Sequence, residues 1–407
     1  MSELIPSSEE LRSEVEEYYS DTNLGFKLKD FHELYEEANE NTLIQVASHY
    51  DLSLKGLTFE EAEKTLLDVL LEKENMKKAL LRCNKGVLDA LQDINQNDEA
   101  ELNCAQVYTL SSLSKDGYGR FDYFEEYCID AATLEGLCAL IDDQEFRKVW
   151  EKASYTYALV HYALLLYGVL DEDVLHVMYE EKWHGSTIEE MNKMWKLVED
   201  NDIVHNEEEH KYYLASILWM PNYDEVQELQ KKYERDLLTV EDVEDYLNYG
   251  FPYSKVSYQD LLGYLAHYFV DEMPSRNYER VVDLFHLARS GGDLDGYVEA
   301  YMTKISDFVG GAPLSPITRS EVTTYIYNCA GETRMGILNG HYLDDTIDQN
   351  STLEGLVNLI RNHPEDLMKH MAENLPAELE EAFEQLMESL GEEEFDDSDD
   401  SDDDLVN

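Results

Sequence analysis

Apolar residues recur every three or four positions along most of the chain, the spacing of helices that bury one face. The pattern is clearest over 151–216. SYTYALVHYALLLYGVLD (154–171) reads as a long apolar helix. DEDVLHVMYEEKW (171–183) reads as a second helix with Asp171 as its N-cap. TIEEMNKMWKLVEDN (187–201) reads as a third, with Thr187 as N-cap and Glu190 at the capping-box position. Alternation then replaces the helical period, and DIVHNEEEHKYYLAS (202–216) reads as two short strands around a polar turn. Three helices followed by a hairpin is the winged-helix pattern. Within 76–150, NMKKALLRCNKGVLDALQDI and a stretch over 99–112 predict helices, KDGYGRFDYFEEYCI predicts a turn and a strand, and ATLEGLCALIDDQEFRKVWEKA resumes helix. Segment 76–130 thus reads as a weaker copy of the same pattern.

Upstream, LIQVASHYDLSLKGLTFEEAEKTLLDVLLE (43–72) reads as helix, extended connector and helix. Downstream, 217–390 is helical in pattern, punctuated by SGGDLDG (290–296) and VGGAPLSP (309–316). The expected organisation is an acidic N-terminal segment over 1–38, a small two-helix module over 39–75, a helical and winged-helix-like stretch over 76–150, a winged helix over 151–216, a helical body over 217–390, and a low-complexity tail over 391–407 expected to be disordered. The predicted fold class is mainly α.

Charge changes this picture most. Acids outnumber bases 89 to 31, a formal net charge of −58. The stretch EEEFDDSDDSDDD (392–404) holds ten acids and no base, yet the rest of the chain alone carries 79 acids against 31 bases. Such a surface repels phosphate backbones at long range and favours basic partners. The module over 30–80 holds 12 acids and 5 bases. In the third helix of the winged helix, Lys193 and Lys196 stand against Glu189, Glu190, Glu199 and Asp200, and the wing tip is Glu207 to His210. A DNA-reading winged helix presents a basic helix, so this one is expected to dock on protein. Met194 and Trp195 are expected in its core.

Candidate chemistry adds little. The five cysteines are odd in number and form no C-x-x-C pair, which supports neither a disulfide framework nor a zinc cluster; Cys128 and Cys138 are expected as helix-core residues. His176, Glu180 and His184 lack the H-E-x-x-H order, and His205 and His210 flank a turn where they would pinch a metal. The expected reading is no metal and no cofactor. Phosphate-binding glycine loops and the G-x-S-x-G elbow are absent from the sequence. No apolar run reaches membrane-spanning length, and MSELIPSSEELRSEVEEYY lacks the features of a signal peptide, so the expected location is cytoplasmic.

Two stretches resemble known families. Leu43, Val46 and Ala47, then DLSLKGLT with Gly56, then Ala62, Leu66, Leu67 and Leu70 resemble the N-terminal domain of transcription termination factor Rho and the related SAP-like units. That resemblance implies contact with nucleic acid or transcription machinery, and it places Lys55, Gly56, Lys64 and Lys73 at the contact positions. GETRMGILNGHYLDD (331–345) resembles a T-R-x-W-x-L-x-G-H-x-P stretch of uncharacterised Gram-positive bacterial proteins that also carry a Rho-N-like unit and often end in a SEC-C zinc motif. Thr333, Arg334, Leu338, Gly340 and His341 match, in a role the resemblance leaves open. Gly336 and Leu343 replace the Trp and Pro, and no cysteine follows Cys329 to form the zinc motif.

The expected function is that of a non-enzymatic cytoplasmic adaptor or regulator near transcription machinery. Its expected partner is a basic protein surface, such as RNA polymerase or another nucleic-acid-handling enzyme. Nucleic acid itself would be bound weakly or with a partner's help, and no membrane would be bound. A winged helix followed by an acidic tail also resembles the plan of the RNA polymerase delta subunit. Two alternatives from other classes are an acidic nucleic-acid mimic or phage-defence factor, for which 29 tyrosines and many acids suit a basic channel, and an unrecognised hydrolase.

Overall fold

The computed structural model describes residues 26–342, apart from 37–39, 97–101, 103, 122–125, 216–222, 269–273, 291–294, 297, 301 and 304–315. The chain divides into two units, Met1–Thr346 and Ile347–Asn407. Everything below concerns the first; the acidic tail, most of the N-terminal acidic segment and positions 343–390 lie outside the described residues.

Among the described residues the fold is mainly helical with two small sheets. In chain order, β1 (Phe26–Leu28), α1 (Phe31–Glu36), α2 (Glu40–His49), α3 (Phe59–Leu70), α4 (Lys73–Leu81), α5 (Lys85–Gln96) and α6 (Cys104–Lys115) lead to β2 (Arg120–Phe121) and β3 (Tyr127–Ile129). Then come α7 (Ala131–Ile141), α8 (Gln144–Tyr167), β4 (Val169–Asp171), α9 (Glu172–Lys182), α10 (Ile188–Val198), β5 (Ile203–Asn206) and β6 (Lys211–Leu214). Further along come α11 (Tyr223–Gln230), α12 (Val240–Tyr249), α13 (Val256–Tyr268), α14 (Pro274–Ser290) and α15 (Pro316–Gly331), followed by a 3₁₀ turn over Gly336–Leu338.

The segment from α8 to β6 is winged-helix-like. Asp143 caps α8 through the backbone N–H of Glu145 at 2.9 Å, and Gly168 at φ +76° turns the chain into β4. Strands pair antiparallel in the order β4–β6–β5, with Val169 opposite Tyr213 and His205 opposite Tyr212. Met191, Met194, Trp195 and Val198 form the buried stripe of α10, so Met194 and Trp195 belong to the core. Thr187 caps α10 through Glu190 N–H at 3.2 Å, but the Glu190 carboxylate leaves the box for Lys152 Nζ at 2.5 Å. Asp171 stands at the N-cap of α9 without a side-chain cap bond; its carboxylate lies 4.0 Å from Lys211 instead.

The first sheet is built differently. The hairpin β2–β3 is antiparallel, but the third strand is β1, which pairs in parallel with β3, Phe26 opposite Tyr127. In the second sheet the strand between the helices fills that place; here it comes from the start of the described chain. Cys128 therefore sits in a strand, not a helix, while Cys138 is buried in α7; Cys83 and Cys329 are buried as well.

The helix–connector–helix segment packs against the end of α6. Leu43, Val46, Ala47, Ala62, Leu66 and Leu70 are buried, and Thr58 with Glu61 closes a capping box on α3. Tyr50 donates its hydroxyl to Asp116 O at 2.6 Å, and Tyr118 donates to Leu70 O at 3.0 Å. A Cβ on Gly117, which has φ +88°, would stand 2.5 Å from Val46 Cγ1, so the close approach requires glycine. One continuous apolar core runs from Phe26 to Cys329. Tyr162 of α8 carries it into the C-terminal helices by stacking on Tyr246 at 4.8 Å. Among the described residues, no helix is long and apolar enough to cross a membrane.

Candidate functional site

A cleft of about 590 Å³ opens between the N-terminus of α9, the outer face of α10 and the hairpin β5–β6. Glu172 forms its floor, Asp173, Glu189 and Glu207 line its walls, and Asn192, Lys196, His205 and His210 complete it with Ile188. Helix and wing form it together, the pair of elements a winged helix uses to read DNA.

Glu172 organises the cleft. It is the first residue of α9, where helix N–H groups favour a negative charge. Its side chain is 8% exposed. His205 donates Nε2–H to Oε1 at 2.5 Å, Asn192 donates to the same oxygen at 3.1 Å, and His210 donates Nδ1–H to Oε2 at 3.1 Å. Tyr212 donates its hydroxyl to Asn192 Oδ1 at 2.7 Å, which orients the amide. The His205 ring is stacked on Tyr212 at 4.2 Å and 10°. Burial alone would raise the pKa of the Glu172 carboxyl, but the bonds from His205 and His210 outweigh it and pull it below the usual range. The carboxylate is therefore ionised, fixed and at the bottom of a concave surface.

The bases on this face are largely neutralised. Lys196 Nζ lies 2.7 Å from Glu207, and Lys152 lies 2.5 Å from Glu190. Lys193 is exposed beside Glu189 and Glu190 on the same helix. Among the described residues, no cluster of three or more His, Cys, Asp and Glu has metal-binding geometry. His205 and His210 converge on a carboxylate. His176 and His184 each bond a backbone oxygen, of Ser186 and Glu180, both at 3.0 Å.

A second polar cluster joins the N-terminal helices to the winged helix. Arg82 donates Nε–H to Val198 O at 2.9 Å and Nη2–H to Glu199 O at 2.6 Å, and its guanidinium is 3.6 Å from Asp116. His161 donates to Asp200 at 2.7 Å. Burial pushes the Asp116 carboxyl up, whereas Asp200 resists its own burial through His161 and is held below the usual range. This cluster caps the C-terminal carbonyls of α10 and fixes the helix that forms the cleft.

The residues marked by the Rho-N resemblance lie elsewhere. Lys55, Gly56 and Lys64 are exposed on the connector and on α3, and Lys73 opens α4 at 3.6 Å from Asp143. None of them lines the cleft. Thr333, Arg334, Gly340 and His341 form an interior clasp. Thr333 donates to Cys329 O and meets the Tyr258 hydroxyl, both at 2.6 Å. Arg334 bonds Asp242 at 2.9 Å, Asp236 at 2.6 Å and Gly340 O at 3.0 Å. Burial opposes the Arg334 charge, but Asp242, Tyr342 and Asp236 hold the guanidinium protonated well above its ordinary range. His341 donates to Glu234 O at 2.6 Å. The clasp ties the chain after α15 to the loop between α11 and α12.

Sequence reasoning picked out His205 and His210 by their spacing around a turn but missed Glu172, which lies 33 and 38 positions away. Asn192 carried no signal at all. The chain matches no known family model, no curated protein and no solved structure.

Proposed function

We propose that this protein is a non-enzymatic adaptor whose winged helix docks a Lys- or Arg-rich surface of a protein that handles nucleic acid. The observation that carries this reading is the buried, ionised Glu172 at the base of a cleft walled by Asp173, Glu189 and Glu207, on the face where a DNA reader presents bases. An anionic backbone is repelled there, and a guanidinium or ammonium group is attracted. The net charge of −58 steers such a partner from a distance. The Rho-N-like segment, with Lys55 and Lys64 exposed, supports a location near transcription machinery, where a partner would bring nucleic acid within reach.

The test is fluorescence anisotropy of a labelled Arg-rich peptide and of labelled single-stranded RNA with the full chain, at low and near-physiological salt. Peptide binding that survives physiological salt and is weakened by Glu189→Lys is the expected result. RNA binding stronger than peptide binding and abolished by Lys55→Glu would replace docking with direct nucleic-acid recognition.

A further inference from the structure

In the sheet β4–β6–β5, β5 is an outer strand, and its outer side is open. Ala215 donates its N–H to Asp202 O at 2.7 Å, in the register that pairs Val204 with Tyr213. Bonded and unbonded pairs alternate along an antiparallel ladder. Asp202, Val204 and Asn206 therefore turn their backbone groups towards β6, and Ile203 and His205 turn theirs outward. Leu214, opposite Ile203, keeps to the alternation by donating to Gly168 O at 3.2 Å, away from β5. Among the described residues, no hydrogen bond from another segment reaches the backbone of Ile203 or His205. Natural edge strands are commonly blunted by Lys, Pro or a bulge. The sequence of β5, IVHN, holds no Lys or Pro and pairs in unbroken register. Its Val204 is 44% exposed, on the face opposite His205.

We propose that β5 is the strand on which the partner docks: an extended segment of the partner, with an apolar residue between two Lys or Arg residues, adds antiparallel to this edge as a fourth strand. The proposal rests on the docking reading and specifies the form and sequence pattern of the docked segment. Bonds to the main chain of Ile203 and His205 supply affinity, and alternate side chains supply selectivity. Antiparallel addition continues the pairing already present in this sheet. The side chains of the added strand alternate between its two faces. On one face the apolar residue covers Val204, the cross-strand contact that stabilises a sheet. On the other, the basic residues lie along the face that carries His205 and Glu207 into the cleft.

Charge decides the occupant. Glu199 and Asp202 precede β5 and Glu207, Glu208 and Glu209 follow it, all exposed. Of the nearby bases, Lys196 lies 2.7 Å from Glu207 and Lys211 lies 4.0 Å from Asp171, so the acids dominate. A second copy of this chain is disfavoured. Pairing β5 with β5 about a two-fold axis sets the wing-tip acids of one copy beside Asp202 and Glu199 of the other, and like charges across a ladder destabilise it. A basic strand meets opposite charge at both ends of the edge.

The experiment uses the full chain and labelled peptides of equal length: alternating Arg–Val, the same peptide N-methylated at its Arg residues or at its Val residues, and uncharged alternating Thr–Val. Anisotropy near physiological salt reads docking, and hydrogen–deuterium exchange resolved by residue reads the edge. Arg–Val is expected to bind and to slow exchange of the Ile203 and His205 amides. N-methylation of its Arg residues, which lie opposite Ile203 and His205, is expected to weaken binding about tenfold through the lost bonds, and N-methylation of its Val residues to leave it unchanged. Val204→Lys, an exposed substitution, is expected to weaken binding of Arg–Val about fivefold. Binding by both methylated peptides with unchanged exchange at Ile203 and His205 overturns strand addition and leaves docking standing. Edge protection by Thr–Val at an affinity equal to that of Arg–Val overturns the docking of a basic partner and leaves strand addition standing. Absence of binding by every peptide overturns both.

Discussion

Arg334 Nε and the backbone N–H of Thr239 donate to the same oxygen, Oδ2 of Asp242, each at 2.9 Å. One carboxylate thereby closes the capping box of α12 and neutralises a buried cation 92 positions away. The fork geometry of the guanidinium supplies the further bonds to Asp236 and Gly340 O. Arg334→Lys keeps the charge but loses the fork. Arg334→Ala leaves Asp242 buried with no cation and is expected to cost about 3–5 kcal/mol. Urea denaturation of the two variants checks this; equal midpoints for Arg334→Ala and the native protein would remove the clasp from the stability of the fold.

Gly340 and Gly56 both have positive φ, at +92° and +86°, but in different surroundings. A Cβ at Gly340 would lie 2.3 Å from Asp236 O and 2.8 Å from the Tyr167 hydroxyl, whereas none of the surrounding atoms comes within 4 Å of one at Gly56. Gly56→Ala is expected to cost about 1 kcal/mol from backbone conformation alone. Gly340→Ala adds a clash with fixed backbone and is expected to lower the denaturation midpoint by at least twice as much. Reversal of that order in parallel urea titrations would contradict the packing around the clasp.

His286 on α14 is pushed down to about 4, first by burial and then by the charges of Arg289 and Lys115. The neutral ring accepts from Arg289 Nη2 at 3.5 Å. An unfolded histidine takes up its proton near pH ~6.5, so between there and about 4 the unfolded chain binds a proton that the folded chain excludes. Stability from this site is full above the unfolded value and falls as pH drops, by on the order of 2–3 kcal/mol. His286→Gln should flatten this part of the profile. The readout is the difference between native and variant midpoints at pH about 7 and about 4.5, and a constant difference would refute the assignment.

Lys55→Glu and Lys64→Glu change exposed side chains on the connector and α3. Both are expected to stay within about 0.5 kcal/mol of the native stability. They are also expected to leave oligo-arginine binding at the cleft unaltered, since neither lies in it. Calorimetric titration with the peptide measures this. A loss of peptide affinity equal to that of Glu189→Lys would move the docking surface from the wing to the two-helix segment.

The helices and hairpin of the winged-helix-like segment were readable because they are consecutive. Thr187, the stripe from Met191 to Val198 and the alternation in DIVHN each act within a few positions, where helical and strand periods are visible. Glu172 was not readable as a site residue, since one acid among 89 carries no signal until folding brings His205 and His210 to it. Arg82 escaped for the same reason: its partners, the carbonyls of Val198 and Glu199, are backbone groups with no sequence signature. Arg334 and Gly340 stood out through a family resemblance, but their place in an interior clasp came only with Asp236 and Asp242 opposite them. Asp171 shows the limit of capping rules, which locate a helix start without settling where the carboxylate points.

The parallel pairing of Phe26 with Tyr127 also bears on the order in which the chain acquires its shape. The second sheet closes between Val169 and Leu214, a much shorter loop. The first sheet cannot close until residues 127–129 have been synthesised and have found a three-residue strand about a hundred positions behind them, and closing so long a loop is entropically slow. On the ribosome, β1 and helices α1 to α6 emerge before β3 yet complete their sheet only once β3 has followed, so this stretch of the chain waits for later sequence before it is finished.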